Sequence, residues 1–189
     1  MPTTRRAQSG FSLIELMIAI LILFAGIVSV AQLVPTAMRS NFRNRNDSTA
    51  LIVAQRELAQ MAQQTMEVQN IGACATAAPA SSYYFCDQDG DTIALGSTGS
   101  TTPSSDGCPL LAGGALDFST ACPAGYSVKK TWVWNPVENI NYEIELRWRI
   151  VTRRSGTTPV RKVIIIGARA GTAAQGYLVT NLQTVVGRK

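Results

Sequence analysis

Between Leu16 and Met38 the chain carries no charged side chain. A helix needs about 20 mostly apolar residues to cross a bilayer, so this run is long enough to span one. A segment that is apolar on every side has to be covered by lipid or by other helices. One residue complicates the run. In the stretch GFSLIELMIAI the carboxylate of Glu15 stands near the head of the apolar segment. On insertion scales an acid at the centre of a membrane helix costs about 2.5–3.5 kcal/mol, and Glu15, nearer the end, bears part of that. The positive end of the helix dipole returns only about 0.3–1 kcal/mol. The acid therefore has to be neutralised, by a proton or by a counter-charge.

The helical pattern continues beyond the apolar run. Ala50, Val53, Ala54, Leu58, Met61, Ala62, Thr65 and Val68 recur at three- and four-residue steps, while Arg56, Glu57, Gln60, Gln63, Gln64 and Glu67 fill the other side. Residues 11–69 thus read as one long helix in two parts. The first, 11–35, is apolar all round; the second, 36–69, is apolar on one stripe and needs a domain to pack on. Pro35 has no amide hydrogen to donate and can kink the helix, and Gly26 is a second weak point.

Residues 70–125 change character, with Gly, Ser, Thr, Pro and Ala dominating, as in ALGSTGSTTPSSDG. They read as a loop long enough to need pinning. Cys74, Cys86, Cys108 and Cys122 all fall within it. None forms a C-x-x-C pair, which argues against a zinc ribbon or a thioredoxin-like redox site. An even number downstream of an export or membrane segment favours disulfides in an oxidising compartment. Three pairings are open; Cys74–Cys86 and Cys108–Cys122 are favoured because each closes a short loop.

Residues 126–189 read as sheet. In NINYEIELRWRI the apolar Ile140, Tyr142, Ile144, Leu146, Trp148 and Ile150 alternate with polar residues, the period of a strand with one buried face. YSVKKTWVW precedes it and VRKVIIIGA follows it, each across a turn signal. YLVTNLQTVV adds a fourth strand or a packed tail. The expected fold is α+β: a long N-terminal spine helix packed on a three- to four-stranded antiparallel sheet.

The sequence argues against catalysis. It contains no histidine, which removes Ser-His-Asp and Cys-His sites and His-ligated metals. No P-loop, G-x-G-x-x-G or G-x-S-x-G occurs. Glu143 and Glu145 alternate with core residues and read as a solvated strand face. No cofactor is expected, calcium being the one candidate: Asp87, Asp89 and Asp91 in DQDGDT resemble the start of a calcium loop, although the glycine comes early and no glutamate closes it. Net charge is +5. Arg147, Arg149, Arg153 and Arg154 could begin a basic patch that meets DNA phosphates, or simply balance the neighbouring acids. An ordinary secretory signal cut near Ser29-Val30-Ala31 would leave Glu15, the length of the run and its amphipathic continuation unexplained.

RRAQSG followed by FSLIEL and a long apolar helix resembles the type III signal of type IV pilins and type II secretion pseudopilins. The resemblance implies a leader peptide, residues 1–10, removed by a prepilin peptidase between Gly10 and Phe11. It implies N-methylation of Phe11 by the same enzyme and a docking role for Glu15 against the new amine of a neighbouring copy. ILILFAGIVSVAQL is most similar to PilV-like minor pilins. The implied function is that of a structural subunit, a minor pilin of a type IV pilus supporting adhesion, twitching or pilus biogenesis. The alternatives are a type II secretion pseudopilin and a DNA-binding minor pilin in DNA uptake. Implied partners are the peptidase, other pilins or pseudopilins, an inner-membrane assembly platform, and membrane lipid before assembly. The implied location is a single pass of the inner membrane with a periplasmic C-terminal domain, and then a surface filament.

Overall fold

The computed structural model describes residues 12–64, 67, 74, 81–98, 103–135, 140–171 and 179–187. Its elements are α1 (Leu13–Gln63), β1 (Ser82–Cys86), β2 (Thr92–Ser97), β3 (Ser104–Gly107), β4 (Ser127–Asn135), β5 (Ile140–Ser155), β6 (Thr158–Ala170) and β7 (Thr180–Gly187). The chain divides into two units, Met1–Asn44 and Arg45–Lys189.

The first unit is helical from Leu13 onward. Ser12 precedes the helix and its carbonyl accepts the amides of Glu15 (3.0 Å) and Leu16 (3.2 Å), closing the first turn. Ser12-Leu13-Ile14-Glu15 also has the S-x-x-E spacing of a capping box, a helix-start signal that matches the observed boundary. The helix runs through Pro35 without interruption. Residues 12–44 are all exposed. The hydroxyls within the apolar run bond back to the preceding turn, Ser29 to the carbonyl of Ala25 (2.8 Å) and Thr36 to that of Gln32 (3.2 Å). They therefore ask nothing of an apolar surrounding.

In the second unit the meander β4–β5–β6–β7 is antiparallel throughout. β5 is its longest strand, 16 residues, and it pairs β6 on one side and both β4 and β3 on the other. The period-two pattern does what it predicts: Ile144, Leu146, Trp148 and Ile150 are completely buried. Ala50, Val53, Ala54 and Met61 of α1 belong to the same core, as do Phe85 of β1 and Ile93, Ala94 and Leu95 of β2. Trp148 donates its indole N–H to the carbonyl of Ala94 (2.9 Å), so the largest core side chain has its polar atom satisfied.

Two parts differ from the sequence reading. The helix ends at Gln63, and the expected extension to 69 falls mostly outside the described residues. Residues 70–125 are not an unbroken loop: they hold β1, β2 and β3, of 5, 6 and 4 residues. β1 and β2 form a separate antiparallel hairpin, and β3 joins the main sheet. Strands this short, set among Gly, Ser and Thr, leave too few alternations to register as a period. Disulfides link Cys74 to Cys86 and Cys108 to Cys122.

The second face of the main sheet is covered as well. Leu116 and Phe118, from the segment between β3 and β4, are buried over β6 at Gly167, where an added Cβ would stand 3.0 Å from Leu116 and 3.2 Å from Phe118. The amide of Leu116 donates to Asn181 Oδ1 of β7 (3.2 Å). Gly107, at the end of β3, is held more tightly. Its φ is +116°, and an added Cβ would stand 2.5 Å from the carbonyl oxygen of Trp148. Gly107→Ala combines left-handed strain with overpacking against backbone, and should cost about 3 kcal/mol or more. Gly113→Ala, where a Cβ meets nothing within 4 Å, should stay within about 0.5 kcal/mol of wild type. Urea unfolding of the full chain in detergent measures both.

Candidate functional site

The functional candidates fall into three groups. The first is the head of α1. Glu15 lies in the first helical turn, followed by exposed Leu16, Met17, Ile18, Ile20, Leu21, Ile22, Leu23 and Phe24. The helix is long and apolar enough to cross a membrane. Among the described residues, none forms an ion pair with Glu15 at 4.0 Å or less. The carboxylate is thus presented on an exposed apolar helix with no counter-charge among the described residues. Gly10 and Phe11, the expected cleavage and methylation residues, lie outside the described residues.

The second group surrounds the β1–β2 turn. Asp87 organises the turn: its Oδ1 accepts the amides of Asp89 (2.9 Å) and Asp91 (2.8 Å). The three aspartates singled out as the start of a calcium loop do converge, and on a cation that the sequence reading missed. Lys130 of β4 donates to Asp87 Oδ2, to Asp89 Oδ2 (2.9 Å) and to Asp91 Oδ2 (2.6 Å). Burial alone would push the Lys130 ammonium down, but hydrogen bonds to Asp87, Asp91 and Asp89 outweigh it and hold its pKa above the ordinary lysine value. The helix also contributes. Glu57, assigned by sequence to the polar side of the helix, is 1% exposed. Its position three and four residues after Ala54 and Val53, and four before Met61, already places it on the buried stripe. Lys130 was legible in the same way, because it lies two residues from both Val128 and Trp132, on the core side of β4 and opposite Ile144.

The third group is the arginines of β5, where the expectation of a solvated face needs correcting. Glu145 and Arg147 are largely covered by the segment carrying Phe118. Arg147 donates Nε–H to Glu145 Oε1 (2.6 Å) and Nη1–H to the carbonyls of Asp117 (2.8 Å) and Thr120. Arg169 of β6 takes the other oxygen of Glu145 (2.7 Å), and both guanidiniums lie 5.0 Å from the centroid of the Phe118 ring. Arg149 donates to Ser105 Oγ and the carbonyl of Cys108, both at 2.9 Å, and Arg154 to the carbonyls of Ser97 and Thr157. Lys162 is buried with its ammonium 5.0 Å from the Tyr83 ring; burial, helped by Arg154, lowers its pKa to about 8. Of the four arginines proposed for phosphates, Arg153 is the exposed one whose side chain makes none of these internal bonds.

Residues 5–31 match the family model for the prokaryotic N-terminal methylation motif. Comparison with curated proteins and with solved structures finds no match. The matched segment contains Arg5 and Arg6, the Gly10-Phe11 pair expected to be cleaved, Glu15 and the greater part of the apolar run. That motif implies processing by a prepilin peptidase and assembly with other pilins. An exposed apolar helix behind it, an α+β domain later in the chain and two disulfides accompany the motif. Over residues 5–31 the chain therefore carries the N-terminal signal of type IV pilin-like prepilins.

Proposed function

We propose that the protein is a minor pilin. It enters the inner membrane through its apolar helix with the disulfide-bonded domain in the periplasm. A prepilin peptidase cuts it between Gly10 and Phe11, and Phe11 is N-methylated. The subunit then joins a type IV pilus or primes its assembly. One observation carries this reading: a helix whose first part is exposed and apolar on every side, with an acid in its first turn and no counter-charge among the described residues. Lipid can cover the apolar side chains before assembly, and neighbouring helices can do so afterwards. Neither lipid tails nor apolar side chains can serve the carboxylate. The amine freed at Phe11 of another copy can, and the pairing would favour one axial register, as a buried polar residue does in a coiled coil.

The same geometry suits a type II secretion pseudopilin, in which a short filament of such helices pushes cargo. The head of the helix serves both machines identically, so deletion of the gene, scored for twitching and for secretion, separates them. A DNA-uptake role has less support, because Arg147, Arg149 and Arg154 are engaged with the protein's own oxygens. A mobility-shift titration of the full chain in detergent against duplex DNA at low salt should show no complex; a salt-sensitive shift would restore the DNA reading.

Gly10→Val should leave an uncleaved, membrane-bound precursor, and intact-mass analysis of the wild type should find a mature chain beginning with methylated Phe11. Glu15→Gln should still insert and be cleaved. It should then lower the amount of subunit in sheared filaments by about tenfold or more, since breaking a buried ion pair costs about 3–5 kcal/mol. Wild-type incorporation of Glu15→Gln would remove the docking role while leaving the processing intact.

A further inference from the structure

The group of charges where α1 meets the β1–β2 turn is unused by the assembly reading. Glu57 is 1% exposed, and its Oε2 has no hydrogen-bond partner. One carboxylate oxygen each of Glu57, Asp87 and Asp89 lie within 4.8 Å of one another. Lys130 is bonded to Asp87, Asp89 and Asp91, and Arg56 reaches across to Gln88 Oε1 (2.7 Å). Four carboxylates therefore gather around two cations, and with all four ionised the negative charges exceed these cations by two. A buried carboxylate with an unserved oxygen is costly. Hard divalent cations hold carboxylate oxygens at about 2.3–2.6 Å, so two ligands of one ion can stand up to about 5 Å apart. The observed spacing and the unmatched charge agree with the same kind of ion.

We propose that Glu57, Asp87 and Asp89 bind a hard divalent cation of the calcium class beside the Lys130 ammonium, tying α1 to the β1–β2 turn. This site is not the linear loop suggested by DQDGDT. That loop has no acid at its end, and the missing buried carboxylate comes from the helix instead. Asp87 is pre-positioned for the role because two backbone amides fix its carboxylate. The ammonium and the ion divide the work: Lys130 balances one charge of the aspartates, and the divalent ion balances the remainder. Cys86, which is disulfide-bonded to Cys74, immediately precedes Asp87. Crosslink and ion would therefore act on adjacent residues at the start of the same turn.

The test is thermal unfolding, followed by circular dichroism, of the full disulfide-intact chain in non-ionic detergent. The protein is first stripped with chelator, then given either about 5 mM calcium chloride or sodium chloride at matched ionic strength. An extracellular-type site with a Kd of about 0.1–1 mM should raise the midpoint by about 3–6 °C in calcium over sodium. Glu57→Gln, which keeps the side-chain shape, and Asp89→Asn, at a half-exposed position, should each abolish the calcium shift. Two results overturn the proposal. One is an unchanged midpoint in calcium together with a gain in stability for Glu57→Gln, meaning that the buried acid is held protonated. The other is a calcium shift that survives in both variants, which places the ion elsewhere.

Discussion

A charge removed from water must find its partner, and the structure answers that demand in a different way at each place where it arises. Along β5 and β6 the partners come from the same sheet. Glu145 accepts from Arg147 and Arg169, and Phe118 packs against both guanidiniums. The remaining donors of Arg147 serve the carbonyls of Asp117 and Thr120, the stretch just before Cys122. What looks like a row of surface charges is thus the means by which an irregular segment is fixed to a sheet. An apolar face could not do this, because the segment's own carbonyls would remain unsatisfied.

This explains which parts of the fold were legible in the sequence. The spine helix, the long alternating β5 and the meander that follows could be read directly, because each repeats its pattern over many residues. β1 to β3 could not, because five-, six- and four-residue strands in polar, glycine-rich sequence owe their existence to pairing rather than to local pattern. Gly107 shows the same thing in miniature: only the approach of the Trp148 carbonyl gives it a role, and that approach is a tertiary fact.

The candidate site divides along a similar line. The Gly10-Phe11 junction and Glu15 lie in a contiguous signal and could be read at once. Glu57 was misplaced because a charged side chain was assigned to solvent by its type, against its position, and Lys130 was passed over. The helical step of Ala50, Val53, Ala54, Glu57 and Met61, and the strand step of Val128 and Lys130 opposite the buried Leu146 and Ile144, each put a charge among core positions. When position and type conflict, the position reports where the side chain goes, and the type reports that something must be waiting there. Three aspartates wait for Lys130.

Glu15 completes the series by contrast. Lys130 and Arg147 are neutralised by residues of the same chain, so their environment is settled once the domain has folded. Glu15 is followed by more than twenty residues without a charge, and no folding of those residues could bring it a cation. Its neutralisation has to come from a proton, from the chain's own freed terminus or from a second molecule. The first two leave the flanking apolar side chains exposed as they were. The third covers the acid and its neighbours in a single event, since whatever brings an amine to Glu15 within a bundle of like helices also buries Leu16, Met17 and Ile20. Lys130 and Arg147 are therefore served within one chain, whereas Glu15 is not served by the uncharged run that follows it. The contrast between Lys130 and Arg147 on one side and Glu15 on the other follows from where the charges stand in the sequence.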